Sequence, residues 1–304
     1  MTERELKKIK TKQRRVWSPL YIISLAVLIL YAVILIGLLY WGFMTSLKDN
    51  QTDFRINVMG LPKKWKWSNY QFIMDNFNYV ITDRKTGSYV RIGMLEMARN
   101  SIFYSVGCTL ATVFSMYIMA YAVGRFPYKL SSIIFVTNII TMIIPIVGTG
   151  GSGIQIVRWL NFYDNFFGIF FMSAGFRGMY FIMFVNIFRT LPEGYVEAAK
   201  LDGAGNWKIF IEIITPLTKN ILFTILVLNF IGYWNAYTTA LLYLPSYPTI
   251  ALAVWKMSTT NINSLATTPM RMCGAMILFV PTFLIFLSMH KKFLGNLQVG
   301  GLKG

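Results

Sequence analysis

Residues 20–43 read LYIISLAVLILYAVILIGLLYWGF, with no acidic or basic side chain among them. A helix rises 1.5 Å per residue and the hydrocarbon layer is about 30 Å thick, so an uncharged apolar run of about 18 residues or more is a membrane-span candidate. Barrel strands are about ten residues long and alternate in polarity, whereas this run is apolar on every face. A cleaved signal peptide would carry a shorter apolar core of about 7–15 residues before a small-residue cleavage site. Here the run ends in Tyr40-Trp41-Gly42-Phe43, so it is expected to remain as an anchor.

Further uncharged runs cover residues 100–124, 130–157, 220–255 and 272–290, and a sixth, 166–188, is interrupted only by Arg177. The expected spans are 20–43, 100–124, 131–149, 166–188, 221–243 and 272–290, which define an all-α integral membrane protein with six transmembrane helices in one domain, 20–290. Composition agrees. Charged residues make up 13% of the chain, about half the share in an ordinary soluble domain, and mean hydropathy is +0.52.

Orientation follows from basic residues near the span ends. Seven of them (Arg4, Lys7, Lys8, Lys10, Lys12, Arg14 and Arg15) fall in the segment 1–19, which is therefore expected in the cytoplasm. Six spans then put the connection 189–219 and the tail 291–304 on the same side, and the long loop 45–99 outside. The net charge of +17 fits the anionic surface of a bilayer. No stretch supplies the basic face of a soluble nucleic-acid binder, so no nucleic acid is expected as a partner. Cys108 and Cys273 lie inside apolar runs and read as small buried hydrophobes. The outer loop holds Trp65, Trp67, Tyr70, Phe72, Ile73, Met74 and Phe77, an aromatic stretch suited to the membrane interface, to packing on the spans or to docking an external partner.

Catalytic constellations are missing. The single histidine, His290, excludes a histidine-based metal site, and there is no phosphate loop of the G-x-x-x-x-G-K-[ST] type. Gly148, Gly150 and Gly153 match G-x-G-x-x-G in form only, because no strand precedes them and no acid follows at the required distance. Paired acids for a proton or sodium relay are absent from the spans. The chain is expected to be no enzyme, with no catalytic residue, metal or cofactor of its own, and to take its energy from elsewhere.

The connection 189–219 is the most acidic part of the chain. Pro192 is placed to open a helix. Glu193 and Glu197 follow one turn apart, where the helix dipole favours negative charge. Ala198 and Ala199 leave that helix narrow, Asp202 adds a further acid, and Gly203 permits the turn that ends it. A second helix, 206–214, would place Trp207, Phe210, Ile211 and Ile214 on one face, with Pro216 at the re-entry into the membrane. A plain connecting hairpin and a rigid peg for a cytoplasmic partner both fit these residues.

The spacing Glu197-Ala198-Ala199, Gly203, Ile213-x-x-Pro216 resembles the EAA signature of ABC importer permeases, with Thr215 where that family usually has Leu. Pro62 with Asn69-Tyr70, Trp234-Asn235 and the glycine-rich end 300–304 resemble further marks of the carbohydrate subgroup, nearest to the second permease of maltose-type and multiple-sugar importers. The resemblance implies a type I ABC importer permease fold in a bacterial inner or plasma membrane, with both termini cytoplasmic. It also implies a second, different permease, two cytoplasmic ATPase subunits carrying ATP and Mg, and an extracellular or periplasmic sugar-binding protein. Glu193, Glu197, Ala198, Ala199, Asp202 and Gly203 would then couple the chain to the ATPases. A non-sugar solute, or a membrane scaffold that only docks a soluble partner, is the alternative.

Along the path, Arg177 is the one charge deep in a span, and it either lines a cavity or packs between helices. Asp164, thirteen residues away, is too distant along a helix for a local pair. Asn229, Tyr233, Trp234, Asn235 and Tyr237 form a polar-aromatic belt suited to sugars, though Trp and Tyr also anchor spans at the interface and Asn bonds neighbouring helices.

Overall fold

The computed structural model describes residues 19–82, 87–126, 128–144, 149–259, 265 and 267–297. Their elements are α1 (Pro19–Ser46), α2 (Ser68–Asn76), β1 (Asn78–Thr82), β2 (Tyr89–Gly93), α3 (Met94–Arg125), α4 (Lys129–Ile143), α5 (Thr149–Trp159) and α6 (Phe166–Ser173). There follow α7 (Met179–Thr190), α8 (Gly194–Leu201), α9 (Asn206–Asn235), α10 (Thr238–Tyr243), α11 (Ile250–Thr259) and α12 (Thr268–Leu297). Among the described residues, α1, α3, α9 and the stretch Thr268–Met289 of α12 are each long and apolar enough to cross a membrane.

The other expected spans are not single helices. α4 stops at Ile143 and α5 begins at Thr149, with 145–148 outside the described residues. The expected 166–188 span is two half-helices, α6 and α7, separated by Ala174-Gly175-Phe176-Arg177-Gly178. Gly178 sits at φ +98°, a left-handed conformation that costs glycine little and any other residue more. The expected 221–243 span starts earlier, at Asn206, and breaks after Asn235, with α10 taking the remainder. Hydropathy cannot register such breaks, because the residues on both sides are equally apolar.

α3 is the hub, packed on α9, α7, α6, α4 and α11. α1 stands apart. Only its C-terminal end, Gly42 and Met44–Ser46, is buried, against α12. The loop 45–99 locks that end in place. Asn69 is buried and donates from Nδ2 to the carbonyls of Ser46 and Lys48, both at 2.9 Å, while Tyr70 Oη bonds Ser46 Oγ at 2.7 Å. The Asn69-Tyr70 pair therefore has a structural task. Nearby, Lys66 Nζ lies 2.6 Å from Asp49 Oδ2 and holds that carboxyl below its ordinary range, helped by the Thr52 and Gln51 amides. The antiparallel hairpin β1–β2, which pairs Asn78 with Gly93, was not expected from the residue pattern. Of the aromatic stretch, Ile73 and Phe77 are buried with Ile92, Trp234 and Cys273, and Trp65 and Trp67 remain exposed.

α3 and α7 cross closely at Gly124. A Cβ there would sit 2.9 Å from Phe188 Cβ and 3.1 Å from the Val185 carbonyl, which belongs to the backbone and cannot swing aside. Gly124→Val is expected to cost about 1–3 kcal/mol through overpacking, seen as a lower midpoint in thermal unfolding of the purified protein.

Candidate functional site

The break between α6 and α7 would leave several backbone carbonyls without partners in a region that is otherwise apolar, each a costly loss away from water. Neighbouring helices supply the donors. Thr112 Oγ1 donates to Ser173 O at 2.9 Å, Asn138 Nδ2 to Phe176 O at 2.8 Å, and Ser115 Oγ shares its proton between Gly175 O at 3.1 Å and Thr112 O of its own helix at 3.0 Å. Since the Thr112 proton is committed to Ser173, Tyr233 Oη donates to Thr112 Oγ1, at 2.7 Å. The sequence reading missed Thr112, Ser115 and Asn138. The available signal was the i, i+3 spacing of Thr112 and Ser115, which puts both hydroxyls on one face of α3.

Beside the break lies a cavity of about 840 Å³, lined among others by Thr112, Asn138, Ser173, Arg177, Asn229 and Tyr233. Three of the expected path residues, Arg177, Asn229 and Tyr233, thus come together here. Asn229 Nδ2 is bound to its own helix at Ile225 O, 2.9 Å. The other three do not line this space. Trp234 is buried, stacks on Phe230 and donates from Nε1 to Leu278 O at 3.0 Å, which fastens α9 to α12. Asn235 bonds back to Ile231 O at 2.8 Å and is exposed, and Tyr237 stacks on Trp255 with centroids 5.1 Å apart. Asp164 is occupied elsewhere, its carboxylate accepting from Ser246 N and Oγ at 2.9 and 2.6 Å. Among the described residues no group of three His, Cys, Asp or Glu could hold a metal ion.

The acidic connection forms the expected pair of helical elements with shifted edges. α8 begins at Gly194, with Glu193 as its N-cap residue and Pro192 one position further out. The Glu193 carbonyl accepts from Val196 N and Glu197 N at 2.8 and 3.0 Å. Glu193, Glu197, Ala198 and Asp202 are exposed, while Ala199 is buried. Gly203 has φ +78°; its N–H reaches Lys200 O at 3.0 Å and Ala204 N reaches Ala199 O at 2.9 Å, a left-handed helix stop that glycine suits.

The second element is the start of α9, continuous into the membrane. Pro216 can neither donate to the carbonyl four residues back nor tolerate it at normal helical distance. The helix widens to π geometry over Phe210–Ile214, and Thr215 Oγ1 donates to Phe210 O at 2.8 Å. The Thr215 amide already donates to the same carbonyl, so the hydroxyl adds a second donor there that leucine could not. Of the four residues expected on one apolar face, Phe210 and Ile214 are buried, but Trp207 and Ile211 are 68% and 60% exposed. With Leu201, 90% exposed, they leave apolar surface on the outward side of the connection. The correction has a geometric cause: the core lies beneath Ile209, Phe210 and Ile214, and π winding turns the face away from Ile211.

Between connection and cavity sits a block of aromatic rings. Tyr117 lies 5.1 Å from both Phe184 and Phe188 and 5.5 Å from Phe210, and Tyr121 lies 4.6 Å from Phe210 and 5.5 Å from Phe188. Each such pair contributes about 0.5–1.5 kcal/mol beyond its burial. Ala199, Ile209 and Ile214 pack into the same cluster, and Arg125 Nη2 donates to Leu191 O at 2.9 Å. α3, α7, α8 and the start of α9 are thereby one packed body.

A membrane-embedded helical subunit with an exposed acidic elbow and a polar cavity beside a broken span is the class of protein that these features define. Comparison with known families gives the same class: residues 116–291 match the binding-protein-dependent transport system inner membrane component family. The chain belongs to that family, whose members are the membrane permease components of ABC importers and work with ATPase and substrate-binding partners. It is 25% identical over 261 residues to the sn-glycerol-3-phosphate transport system permease protein UgpE of Pectobacterium atrosepticum, covering 85% of this chain and 89% of that one. It is 30% identical over 189 residues to the melibiose/raffinose/stachyose import permease protein MelC of Bacillus subtilis, covering 61% and 67%. A chain from the crystal structure of a bacterial ABC transporter involved in the import of the acidic polysaccharide alginate shares the fold, with a TM-score of 0.71 at 21% identity over 91% of this chain and 97% of that chain.

Asn138→Leu removes the donor to Phe176 O and strands a carbonyl at the break. The expected cost is about 1–3 kcal/mol, with faster amide exchange at residues 175–180 in hydrogen–deuterium exchange of the purified protein and unchanged exchange in α12.

Proposed function

We propose that this chain is a permease subunit through which an ATP-driven importer passes a sugar or oligosaccharide into the cytoplasm. The observation that carries the reading is the packed body joining the exposed acidic elbow to the inner half of a span that is broken beside a polar cavity. Relatives named for glycerol phosphate, melibiose, raffinose and stachyose support a sugar-like cargo.

In this reading the chain crosses the membrane six times, the third and fourth crossings being assembled from shorter helices, and both termini are cytoplasmic. A second, different permease completes the path, a sugar-binding protein delivers cargo from outside, and two ATPase subunits carry ATP and Mg. Hydrolysis takes place on those subunits and none on this chain. α8 seats in an ATPase cleft with Glu193, Glu197 and Asp202 facing basic groups, Ala198 allowing close approach, and Leu201, Trp207 and Ile211 covered by the partner. Ala199 and Gly203 set the elbow's shape from within. When the ATPases close, the elbow moves, the aromatic block carries α7 with it, and the break at 174–178 lets α6 follow a different course.

Glu197→Lys reverses a charge-assisted contact worth about 1.5–3 kcal/mol. Gly203→Asp places a side chain at a left-handed position. Each is expected to lower ATP-driven sugar uptake by tenfold or more in vesicles containing the whole importer, with loss of ATPase co-purification or of its stimulation by loaded binding protein. Uptake and stimulation at the unsubstituted level in both variants would contradict the docking role.

A further inference from the structure

We infer that the cavity beside the broken span receives an anionic group of the imported solute, a carboxylate or phosphate carried on a sugar, held between Arg177 and the start of α7. This rests on the importer reading above and specifies its substrate class.

Four observations converge. Arg177 is the only charged residue lining the cavity among the described residues, and no Asp or Glu lines it. Arg177 takes part in no hydrogen bond or ion pair with the described residues. Arg177 is exposed; a charge among apolar surroundings is costly unless it meets water or a counter-charge, and this lining supplies no counter-charge.

The second observation is the restart of the helix. α7 is twelve residues long and opens at Met179 after Gly178, which offers no side-chain cap. Its first-turn N–H groups have no partner within the helix, and Met179 and Tyr180 line the cavity. A helix start of this kind favours negative charge through its N–H groups and its dipole together.

The third concerns the opposite half of the break. The carbonyls at the end of α6 and just beyond it would repel an anion, but Thr112, Ser115 and Asn138 occupy those of Ser173, Gly175 and Phe176. The break therefore presents donors and positive charge to the cavity, with three of its carbonyls already accepting from neighbouring helices.

The fourth distinguishes a sugar acid or sugar phosphate from a bare anion. Asn138 is 4% exposed and lines the cavity; its Nδ2 is used at Phe176, and its Oδ1 has no partner. That oxygen can only accept, so it suits a hydroxyl next to the anionic group. A neutral glycan could satisfy Asn138 but would leave Arg177 without a counter-charge.

The test uses the purified importer, this chain with its partner subunits, in phosphatidylcholine nanodiscs. Binding of trigalacturonate, glucose 6-phosphate and maltotriose is measured by isothermal titration for the unsubstituted complex and for Arg177→Gln and Arg177→Lys. The anion site predicts that at least one of the two anionic probes binds tenfold or more tightly than maltotriose. Arg177→Gln should erase that preference and Arg177→Lys, which keeps the charge, should retain part of it. Equal binding of all three probes, no binding of either anionic probe, or a preference unchanged in Arg177→Gln would overturn the proposal. So would displacement of the anionic probe by phosphatidylglycerol through Arg177, which would assign the site to a lipid headgroup. Loss of maltotriose and anion binding together in Arg177→Gln, with complex assembly impaired, would assign the side chain to packing against the second permease and likewise overturn it. ATP-driven uptake of a neutral sugar at an unaltered rate in Arg177→Gln, without anion selectivity, leaves the import reading standing; absence of ATP-driven uptake of any sugar by the unsubstituted complex contradicts that reading itself.

Discussion

A backbone carbonyl stranded in hydrocarbon costs several kcal/mol, and the layout of this protein follows from how it meets that cost at one place. The chain between α6 and α7 unwinds for five residues, and three side chains from two neighbouring helices take up the carbonyls it exposes. Because those donors come from α3 and α4, the break is tied to the hub of the bundle rather than left loose. Once the carbonyls are occupied, the interruption is affordable, and it leaves a cavity, an unpaired arginine and a free helix start at the same depth. A straight helix over 166–188 would have offered none of these.

A second consequence concerns force. α9 runs without interruption from the acidic connection into the bundle, because π winding over Phe210–Ile214 absorbs Pro216, with the Thr215 amide and hydroxyl both on the carbonyl of Phe210. The rings of Tyr117, Tyr121, Phe184, Phe188 and Phe210 then bind α3, α7 and α9 into a rigid unit beneath the elbow. Stiffness below the break and discontinuity at it are complementary. In the proposed reading the first delivers a displacement, and the second gives it somewhere to act.

The spans were legible because charge spacing reports membrane residence directly, and four of the expected runs became helices long enough to cross. The elbow was legible because its residues carry local backbone demands: Gly203, expected to end a helix, adopts φ +78° and does so. The breaks were not legible. Serine, threonine and asparagine scattered in an apolar run change its hydropathy little, so Thr112, Ser115 and Asn138 gave no warning of the backbone they serve. Side-chain direction was also hidden. Trp234 and Tyr233 are adjacent in sequence, yet on a helix they point about 100° apart, so one fastens α9 to α12 while the other lines the cavity. Ile211 leaves the buried face that regular helical spacing expects because π winding does not keep that spacing, and Trp207, in the turn before it, is exposed as well.

The central claim is that elbow and inner half-helix form one body which hinges at the break. It is tested most directly by pulsed electron–electron spin resonance on the assembled importer in nanodiscs, with spin labels paired at Lys200 and Met183 and, separately, at Met183 and Phe167. These positions lie on the exposed surfaces of α8, α7 and α6. The account predicts that binding of non-hydrolysable ATP leaves the Lys200–Met183 distance fixed and shifts the Met183–Phe167 distance. A change between Lys200 and Met183 with none across the break would contradict it.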